Sequence, residues 1–307
     1  YCRIIGSRRQ CGFAGRLLKV GDIELAVQEF GDAGHPAMVL IMGLGMQMVS
    51  WPESFCVALA AKGFRVIRFD NRDVGLSHKL GGVRAPGVVK MLLASKLGFR
   101  LAVPYQLTDM AKDTVLLLDA LNIESAHIVG ASMGGMIAQL LAANYPERVL
   151  TLTSIMSTSG NPRLPQPRAK VLLRLAAASA KDEASYLNAA MQTWRIIGSP
   201  AYPPSDAELR ERLLLAYRRS YYPAGIARQL AAISSCGSRV DALKTITAPT
   251  LVIHGKSDPL VPVDGGIDTA KHIPGARLEL FDGMGHDLPV PLLPKFVALI
   301  SAHSHLR

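Results

Sequence analysis

Short apolar segments alternate with helical patterns along most of the chain. Residues 16–30 alternate apolar and polar side chains and predict an antiparallel hairpin that turns at Gly21 and Asp22. Helices are predicted at 52–62, 107–121 and 290–303, with Thr108 as a candidate N-cap, and another begins after Ser132. Strands are predicted just before Ser132 and at 38–42, 64–69, 148–156, 250–254 and 278–281. This alternation predicts a doubly wound, mostly parallel α/β sheet.

The stretch from 157 to 245 interrupts the alternation of strands and helices. It is too long for a simple connection, and its pattern is mostly helical. We expect it to form an inserted helical cap over the carboxyl edge of the sheet, where ligands bind in open α/β sheets. The predicted organisation is an N-terminal extension at 1–14, a core at 15–156 and 246–307, and a helical cap subdomain at 157–245.

One apolar stretch, 126–146, carries no Asp, Glu, Lys or Arg and is long enough to span a bilayer. It contains Gly130, Ser132, Gln139 and Asn144, and it divides into a short strand and a helix. We therefore expect no stable membrane insertion. A short basic and apolar stretch at 90–100 leaves action on lipid esters at a membrane surface as a separate hypothesis.

Net charge changes the list of partners to consider, because the chain carries +10 and basic proteins often bind nucleic acid. The predicted cap at 157–245 has thirteen Lys and Arg and six Asp and Glu, a net charge of +7. It contains no recognised nucleic-acid motif, and its charges alternate with Leu and Ala at helical spacing. This pattern favours a solvated helical face, and we expect no nucleic-acid partner.

Cysteine and histidine usage gives no sign of a metal site. Cys2, Cys11, Cys56 and Cys236 lack metal-ligand spacing, and the histidines form no zinc-binding set. Cys56 and Cys236 are predicted to be reduced core residues, whereas Cys2 and Cys11 would pair only in an oxidising compartment. We expect a cytoplasmic location, and a secreted or periplasmic one stays open because the chain begins with Tyr1.

The segment Gly130-Ala131-Ser132-Met133-Gly134 carries the strongest chemical signal. A serine on a sharp turn from strand to helix needs a strained backbone and small neighbours, and it presents an exposed nucleophile. Its hydroxyl is protonated at neutral pH and needs a base. His286 is the candidate base, and Asp258 is the candidate carboxylate that orients and stabilises it. Each follows a predicted strand.

These residues resemble the α/β-hydrolase fold superfamily from residue 15 onward. The resemblance rests on the serine segment, on VIHGKSDPLVP at 252–262 and on GMGH at 283–286, and the order Ser, Asp, His is that of this fold. It implies a serine hydrolase with catalytic Ser132, Asp258 and His286. Met42-Gly43 replaces the His-Gly of many relatives, as in an esterase branch resembling aclacinomycin methylesterase-like proteins.

Three other carboxylates compete for the role of the triad acid: Asp287 beside the histidine, and Asp70 and Asp73 after another strand. Asp258 is preferred because it stands at the family position, and because a residue adjacent to the histidine usually points away from the ring. Asp70, Arg72 and Asp73 are expected to form a turn and an ion-pair network. Many relatives have glycine where this chain has Asp73.

The oxyanion hole is expected from two backbone N–H groups. Met133 follows the nucleophile at a helix start, and Leu44 lies in the loop at 42–46. Candidate substrate contacts are Gln47 and Trp51 after that loop and the cap residues Trp194 and Tyr217, although aromatic residues at helical spacing are usually core. His127 and His254 lie within strands and are predicted to be structural.

The resulting hypothesis is hydrolysis of a small-molecule carboxylic ester or lactone through an acyl-enzyme on Ser132, with no cofactor and no metal. A serine at this turn argues against haloalkane dehalogenases and epoxide hydrolases, in which the nucleophile is aspartate. A cofactor-free carbon–carbon bond hydrolase, an acyltransferase and a perhydrolase use the same triad and stay open. A receptor with low turnover is a further alternative.

Overall fold

The computed structural model describes residues 15–87, 102–167, 171 and 180–306. The predicted extension at 1–14, with Cys2 and Cys11, lies outside the described residues, and so does the basic stretch at 90–100. Of the remaining cysteines, Cys56 is buried, Cys236 is partly buried, and both are free thiols.

Eight strands of the described chain form one sheet in the order β1-β2-β4-β3-β5-β6-β7-β8. The antiparallel pairs are β1 with β2 and β2 with β4, and the other neighbours are parallel. The predicted mostly parallel sheet is therefore confirmed. The strands are β1 (Arg16–Val20), β2 (Ile23–Phe30), β3 (Ala37–Ile41), β4 (Arg65–Phe69), β5 (Ala126–Ala131), β6 (Val149–Ile155), β7 (Thr250–Gly255) and β8 (Arg277–Phe281).

Helices connect the parallel strands and fill the long interval between β6 and β7. Short 3-10 turns occur at Met48–Ser50, Pro146–Arg148 and Val290–Leu292. The α-helices are α1 (Glu53–Ala60), α2 (Leu107–Ala120), α3 (Met133–Asn144), α4 (Glu183–Ile197), α5 (Asp206–Arg219), α6 (Pro223–Cys236), α7 (Val240–Leu243), α8 (Asp264–His272) and α9 (Leu293–Ser304).

The start of α2 differs from the expectation. Its N-cap is Gln106 rather than Thr108, which lies inside the first turn. The reason is Asp109, whose Oδ2 accepts a hydrogen bond of 2.8 Å from the Gln106 backbone N–H. The carboxylate reaches back to the cap residue and fixes the helix start there.

Two apolar layers cover the sheet, one on each face. Neighbouring residues of β5 alternate between them, since Ile128 packs with α2 and α3 whereas Val129 packs with α1 and α9. Because both faces of the central strands are buried, β3 is apolar throughout, and the polar side chains of β5 and β6, such as His127 and Thr151, are themselves buried. The doubly wound architecture follows directly from this pattern. Residues 126–146 divide into β5 and α3, and no described helix is long and apolar enough to cross a membrane.

We call residues 157–245 the cap segment. Its described part contains α4 to α7, and α4 and α5 pack around a small apolar cluster of Leu187, Leu209 and Leu213. This cluster is separate from the two layers on the sheet. The division of the chain into core and cap subdomains stays a prediction.

Part of the charge on the cap segment faces inward, contrary to the expected solvated face. Arg219 pairs with Asp70 and Arg228 with Asp73, each at 2.7 Å, and the four side chains are at most 4% exposed. The carboxylates stand on the turn after β4. The sequence periodicity of the cap segment correctly predicts helices. It does not distinguish arginines exposed to solvent from arginines that pair with a buried carboxylate.

Gly130 has no room for a side chain, since a Cβ there would lie 2.2 Å from the Gly134 carbonyl oxygen. We expect Gly130→Ala to lower the free energy of unfolding by about 2 kcal/mol or more, because the added methyl group would meet backbone atoms of Gly134 and Gly135, which cannot move aside as a side chain can. Denaturant titration measures the change. The matched control is Gly81→Ala, where no atom lies within 4 Å of the added carbon. Equal stability of the two variants would contradict this account of the turn.

Candidate active site

Ser132 occupies a strained turn between β5 and α3. Its φ of 56° and ψ of −119° lie in a region that favours glycine, at a cost on the order of 1–3 kcal/mol. The turn is closely packed, because a Cβ on Gly134 would lie 2.1 Å from the Ile41 carbonyl oxygen. The Ser132 N–H donates to the Ile155 carbonyl at 2.9 Å. The surroundings therefore hold the serine in this conformation.

The structure brings the three predicted catalytic residues together. The Ser132 hydroxyl donates to His286 Nε2 at 2.9 Å, and His286 Nδ1–H donates to Asp258 Oδ2 at 2.7 Å. They follow β5, β8 and β7, respectively. Because the carboxyl ends of parallel strands meet at one edge of the sheet, side chains more than a hundred residues apart become neighbours.

Asp258 is buried and ionised. Its Oδ1 accepts hydrogen bonds from the backbone N–H groups of Leu260 at 2.9 Å and Val261 at 2.8 Å. Burial alone raises the pKa of this carboxyl, but His286, His254 and the Val261 N–H together outweigh it and lower the pKa to about 2. The carboxylate is thus available to stabilise a positively charged His286.

His254 stands closer to this carboxylate than its predicted structural role suggested. Its Nε2–H donates to the Val261 carbonyl at 2.9 Å and lies 3.6 Å from Asp258 Oδ2. The sequence signal was its position four residues before Asp258, across the turn that ends β7. His127 is structural as expected, since its Nδ1 lies 2.9 Å from Thr151 Oγ1 inside the sheet.

The three competing carboxylates are engaged elsewhere. Asp287 accepts a hydrogen bond from the Ser199 hydroxyl, and burial raises its pKa. Asp70 accepts the Met48 N–H at 2.7 Å, besides pairing with an arginine of the cap segment. Asp73 has a φ of 68°, which explains why glycine suits this position, and it too pairs with a cap arginine. Arg72 pairs with Asp113 at 2.6 Å, so the turn carries three separate ion pairs to distant residues rather than the expected network among Asp70, Arg72 and Asp73.

The loop that carries His286 is bonded to the end of α4. The His286 N–H donates to the Ile197 carbonyl at 2.7 Å, and the Gly285 N–H donates to Ser199 Oγ at 2.9 Å. A Cβ on Gly285 would lie 2.4 Å from the Gly198 carbonyl oxygen. The cap segment therefore holds the histidine loop through two hydrogen bonds, one accepted by a backbone carbonyl and one by a serine hydroxyl.

The loop at 42–46 lies against Ser132. A Cβ on Gly43 would be 3.1 Å from Ser132 Cβ, and a turn at 43–46 is closed by a 3.1 Å bond from the Met46 N–H to the Gly43 carbonyl. Met133 is the first residue of α3, where helix N–H groups lack partners within the helix. The assignment of the Met133 and Leu44 N–H groups to an oxyanion hole stays a prediction.

Comparisons with known proteins identify the family of the fold. Residues 36–176 match the family model described as the alpha/beta hydrolase fold. Rhodomycin D methylesterase DauP of Streptomyces sp. (strain C5) is 31% identical, over 94% of this chain and 97% of that protein. Rhodomycin D methylesterase DnrP of Streptomyces peucetius is 30% identical over the same shares.

The chain belongs to the alpha/beta hydrolase fold family. The predicted resemblance to esterases of this fold is confirmed. Among solved structures, the meta-cleavage product hydrolase CumD of Pseudomonas fluorescens IP01 superposes with a TM-score of 0.76, covering 95% of this chain and 98% of that chain. Its sequence identity is 20%, so this likeness supports the fold alone.

In the present chain, Gln47 is hydrogen-bonded within the protein and Trp51 is packed in the core, and neither arrangement favours the predicted substrate contacts. Gln47 Nε2 donates to the Ala216 carbonyl at 2.6 Å and to the Ser220 carbonyl at 2.8 Å, and its Oε1 accepts from Arg219. Trp51 is fully buried and stacked on a neighbouring phenylalanine with ring centroids 5.7 Å apart. One residue fastens the cap segment and the other fills the core.

Trp194 and Tyr217 are partly buried on the cap segment. Trp194 packs against the apolar cluster of α4 and α5. Tyr217 belongs to a group of three rings with Tyr186 and Tyr221, whose centroids are 4.9 and 5.1 Å from its own. Both residues contribute to the interior of the cap segment, and contact with substrate stays a prediction.

The low pKa of Asp258 predicts a loss of stability in acid. Because the pKa falls from 3.8 to about 2 on folding, its stabilising contribution is complete above pH 4 and disappears as the pH falls towards 2. The contribution is roughly 2 kcal/mol. Denaturant titrations at pH 5 and pH 2.5 should therefore show that the stability gap between the unchanged protein and Asp258→Asn narrows in acid. A gap independent of pH would contradict the prediction.

Proposed function

We propose that this chain hydrolyses a carboxylic ester or a lactone through an acyl-enzyme on Ser132. The observation that carries the proposal is the hydrogen-bonded series of Ser132, His286 and Asp258 at a strained turn. The two methylesterases that are similar along nearly their whole length support an ester substrate. The proposed partner is a small molecule.

In the first step, Ser132 Oγ attacks the carbonyl carbon while His286 Nε2 takes the hydroxyl proton. The carbonyl electron pair moves to oxygen and forms a tetrahedral oxyanion. When the carbon–oxygen bond to the leaving group breaks, His286 returns the proton to the departing alkoxide. Asp258, with its pKa of about 2, stays ionised and stabilises the protonated imidazole throughout.

The second step releases the acid. A water molecule attacks the acyl carbon that is bonded to Ser132 Oγ, while His286 Nε2 takes one of its protons. When the second tetrahedral oxyanion collapses, the bond between that carbon and Oγ breaks, and His286 returns the proton to Oγ. The Met133 and Leu44 N–H groups are assigned to the oxyanion in both steps, supported by the contact of Gly43 with Ser132. No step requires a cofactor or a metal.

We also propose a cytoplasmic location and assign substrate selection to the cap segment. The location is supported by the free thiols of Cys56 and Cys236. Substrate selection is supported by contacts between the cap segment and the loops on both sides of Ser132, made by Gln229 to Gly45 and by Ile197 to His286.

The mechanism predicts that Ser132→Ala abolishes turnover of p-nitrophenyl esters with acyl chains from acetate to decanoate. We expect kcat to fall roughly 10⁴-fold or more, because no other group replaces the attacking hydroxyl. Release of nitrophenol measures it. Ser234→Ala is the matched control, since that hydroxyl donates within α6 to the Leu230 carbonyl at 2.9 Å. Hydrolysis that survives Ser132→Ala would refute the acyl-enzyme.

A substrate panel separates the alternatives that share this chemistry. Methyl esters, lactones and a diketone with a cleavable carbon–carbon bond are each assayed for hydrolysis in water. One ester is also assayed with added alcohol or hydrogen peroxide as the acyl acceptor. We expect the fastest turnover with the esters or lactones. Preferential diketone cleavage would indicate a carbon–carbon hydrolase, and preferential transfer would indicate an acyltransferase or perhydrolase. The absence of turnover on the whole panel would contradict the enzyme assignment.

A further inference from the structure

Gln229 is a fully buried amide in the middle of α6, and both of its ends are bonded to the core. Its Oε1 accepts the Gly45 N–H at 2.8 Å, and its Nε2 donates to the Arg72 carbonyl at 2.8 Å. An amide at zero exposure is costly unless its polar atoms are satisfied. Here the partners are backbone groups of two core loops that follow β3 and β4.

The first of these loops contains the turn at 43–46 beside Ser132. The N–H that Gln229 binds belongs to the peptide between Leu44 and Gly45, so this bond fixes the rotation of that peptide. The next peptide towards the N-terminus carries the Leu44 N–H, which we assign to the oxyanion. Gly45 has a φ of 66°, and a Cβ there would lie 3.0 Å from the Ile226 side chain of α6. The turn is therefore packed against α6 as well as bonded to it.

Helix α6 is itself firmly seated on the core. Arg228, the neighbour of Gln229, binds Asp73 through two bonds of 2.8 and 2.7 Å. The backbone of α6 also lies against the backbone of the turn after β4, since a Cβ on Gly225 would lie 2.0 Å from the Asp73 carbonyl oxygen. Since α6 cannot shift without breaking a buried ion pair, it provides a fixed support for the Gln229 amide.

We propose that Gln229 is a positioning residue that orients the turn at 43–46, so that the Leu44 N–H faces the oxyanion formed on Ser132. This inference rests on the function proposed above. It gives the cap segment a part in stabilising the transition state, in addition to selecting substrate. A positioning role of this kind affects the charged tetrahedral state more than the neutral ester.

The first test is Gln229→Met, which keeps the length of the side chain and removes both hydrogen bonds. We expect kcat for a p-nitrophenyl ester to fall about 10- to 100-fold, part of the loss known for removing a whole oxyanion donor, with KM changed less than about threefold. Ser132 adds to the carbonyl of a trifluoromethyl ketone and forms a charged tetrahedral adduct. The inhibition constant of such a ketone should rise by a similar factor.

The matched control is Arg239→Met. Arg239 is also a buried polar residue of the cap segment. It donates to Gln139 of the core at 3.1 Å and to the Thr158 carbonyl of the cap segment at 2.7 Å. Its loss should lower the unfolding temperature while the ketone inhibition constant changes less than about threefold. Equal changes in kcat and in the inhibition constant for the two variants would overturn the inference, and so would a rise in KM at constant kcat.

Gln229→Glu tests the proposal independently of the methionine variant. It keeps the acceptor for the Gly45 N–H, and because burial favours the neutral carboxyl, its O–H still donates to the Arg72 carbonyl, so kcat should stay within about fivefold of the unchanged protein. A 100-fold loss of kcat in a folded Gln229→Glu protein would overturn the inference. Failure of the proposed function has a different signature, because the unchanged protein would then hydrolyse no ester.

Discussion

The close approach of three backbones at the carboxyl edge of the sheet is the constraint on which the site depends. Gly134 lies against the Ile41 carbonyl and Gly130 against the Gly134 carbonyl, so β3, β5 and the start of α3 meet with no side chain between them. Ser132 at the apex has a φ of 56° and points its hydroxyl towards His286. The cost of this conformation is offset by the packing of both apolar layers beneath it.

Buried charge ties the cap segment to this edge. Asp70 and Asp73 lie on the turn after β4 and are almost fully buried, and each is neutralised by an arginine more than a hundred residues away. Removing one partner from such a pair leaves an uncompensated charge and costs about 3–5 kcal/mol, whereas the pair itself adds little net stability. The effect of the two pairs is therefore on position, since they join α5 and α6 to the turn after β4.

As a result, the cap segment contacts both the turn at 43–46 beside Ser132 and the loop that carries His286. Through Gln229 it binds the turn beside the nucleophile, and through Ile197 and Ser199 it binds the loop of His286. A covering element is usually credited with substrate selection alone. In this hydrolase the same contacts also join the cap segment to the loops that carry the groups proposed to take up the proton and the negative charge.

Sequence alone was enough to predict the alternation of strands and helices, the strained serine turn and the candidate roles of Asp258 and His286, because apolar periodicity and short motifs are local properties. Only the tertiary structure decided the surroundings. It showed that Gln47 and Trp51 pack, that His254 borders Asp258, and that Arg219 and Arg228 face inward. The physical reason is that these contacts join residues distant in the chain, and a helical pattern records which face is apolar but not what that face meets.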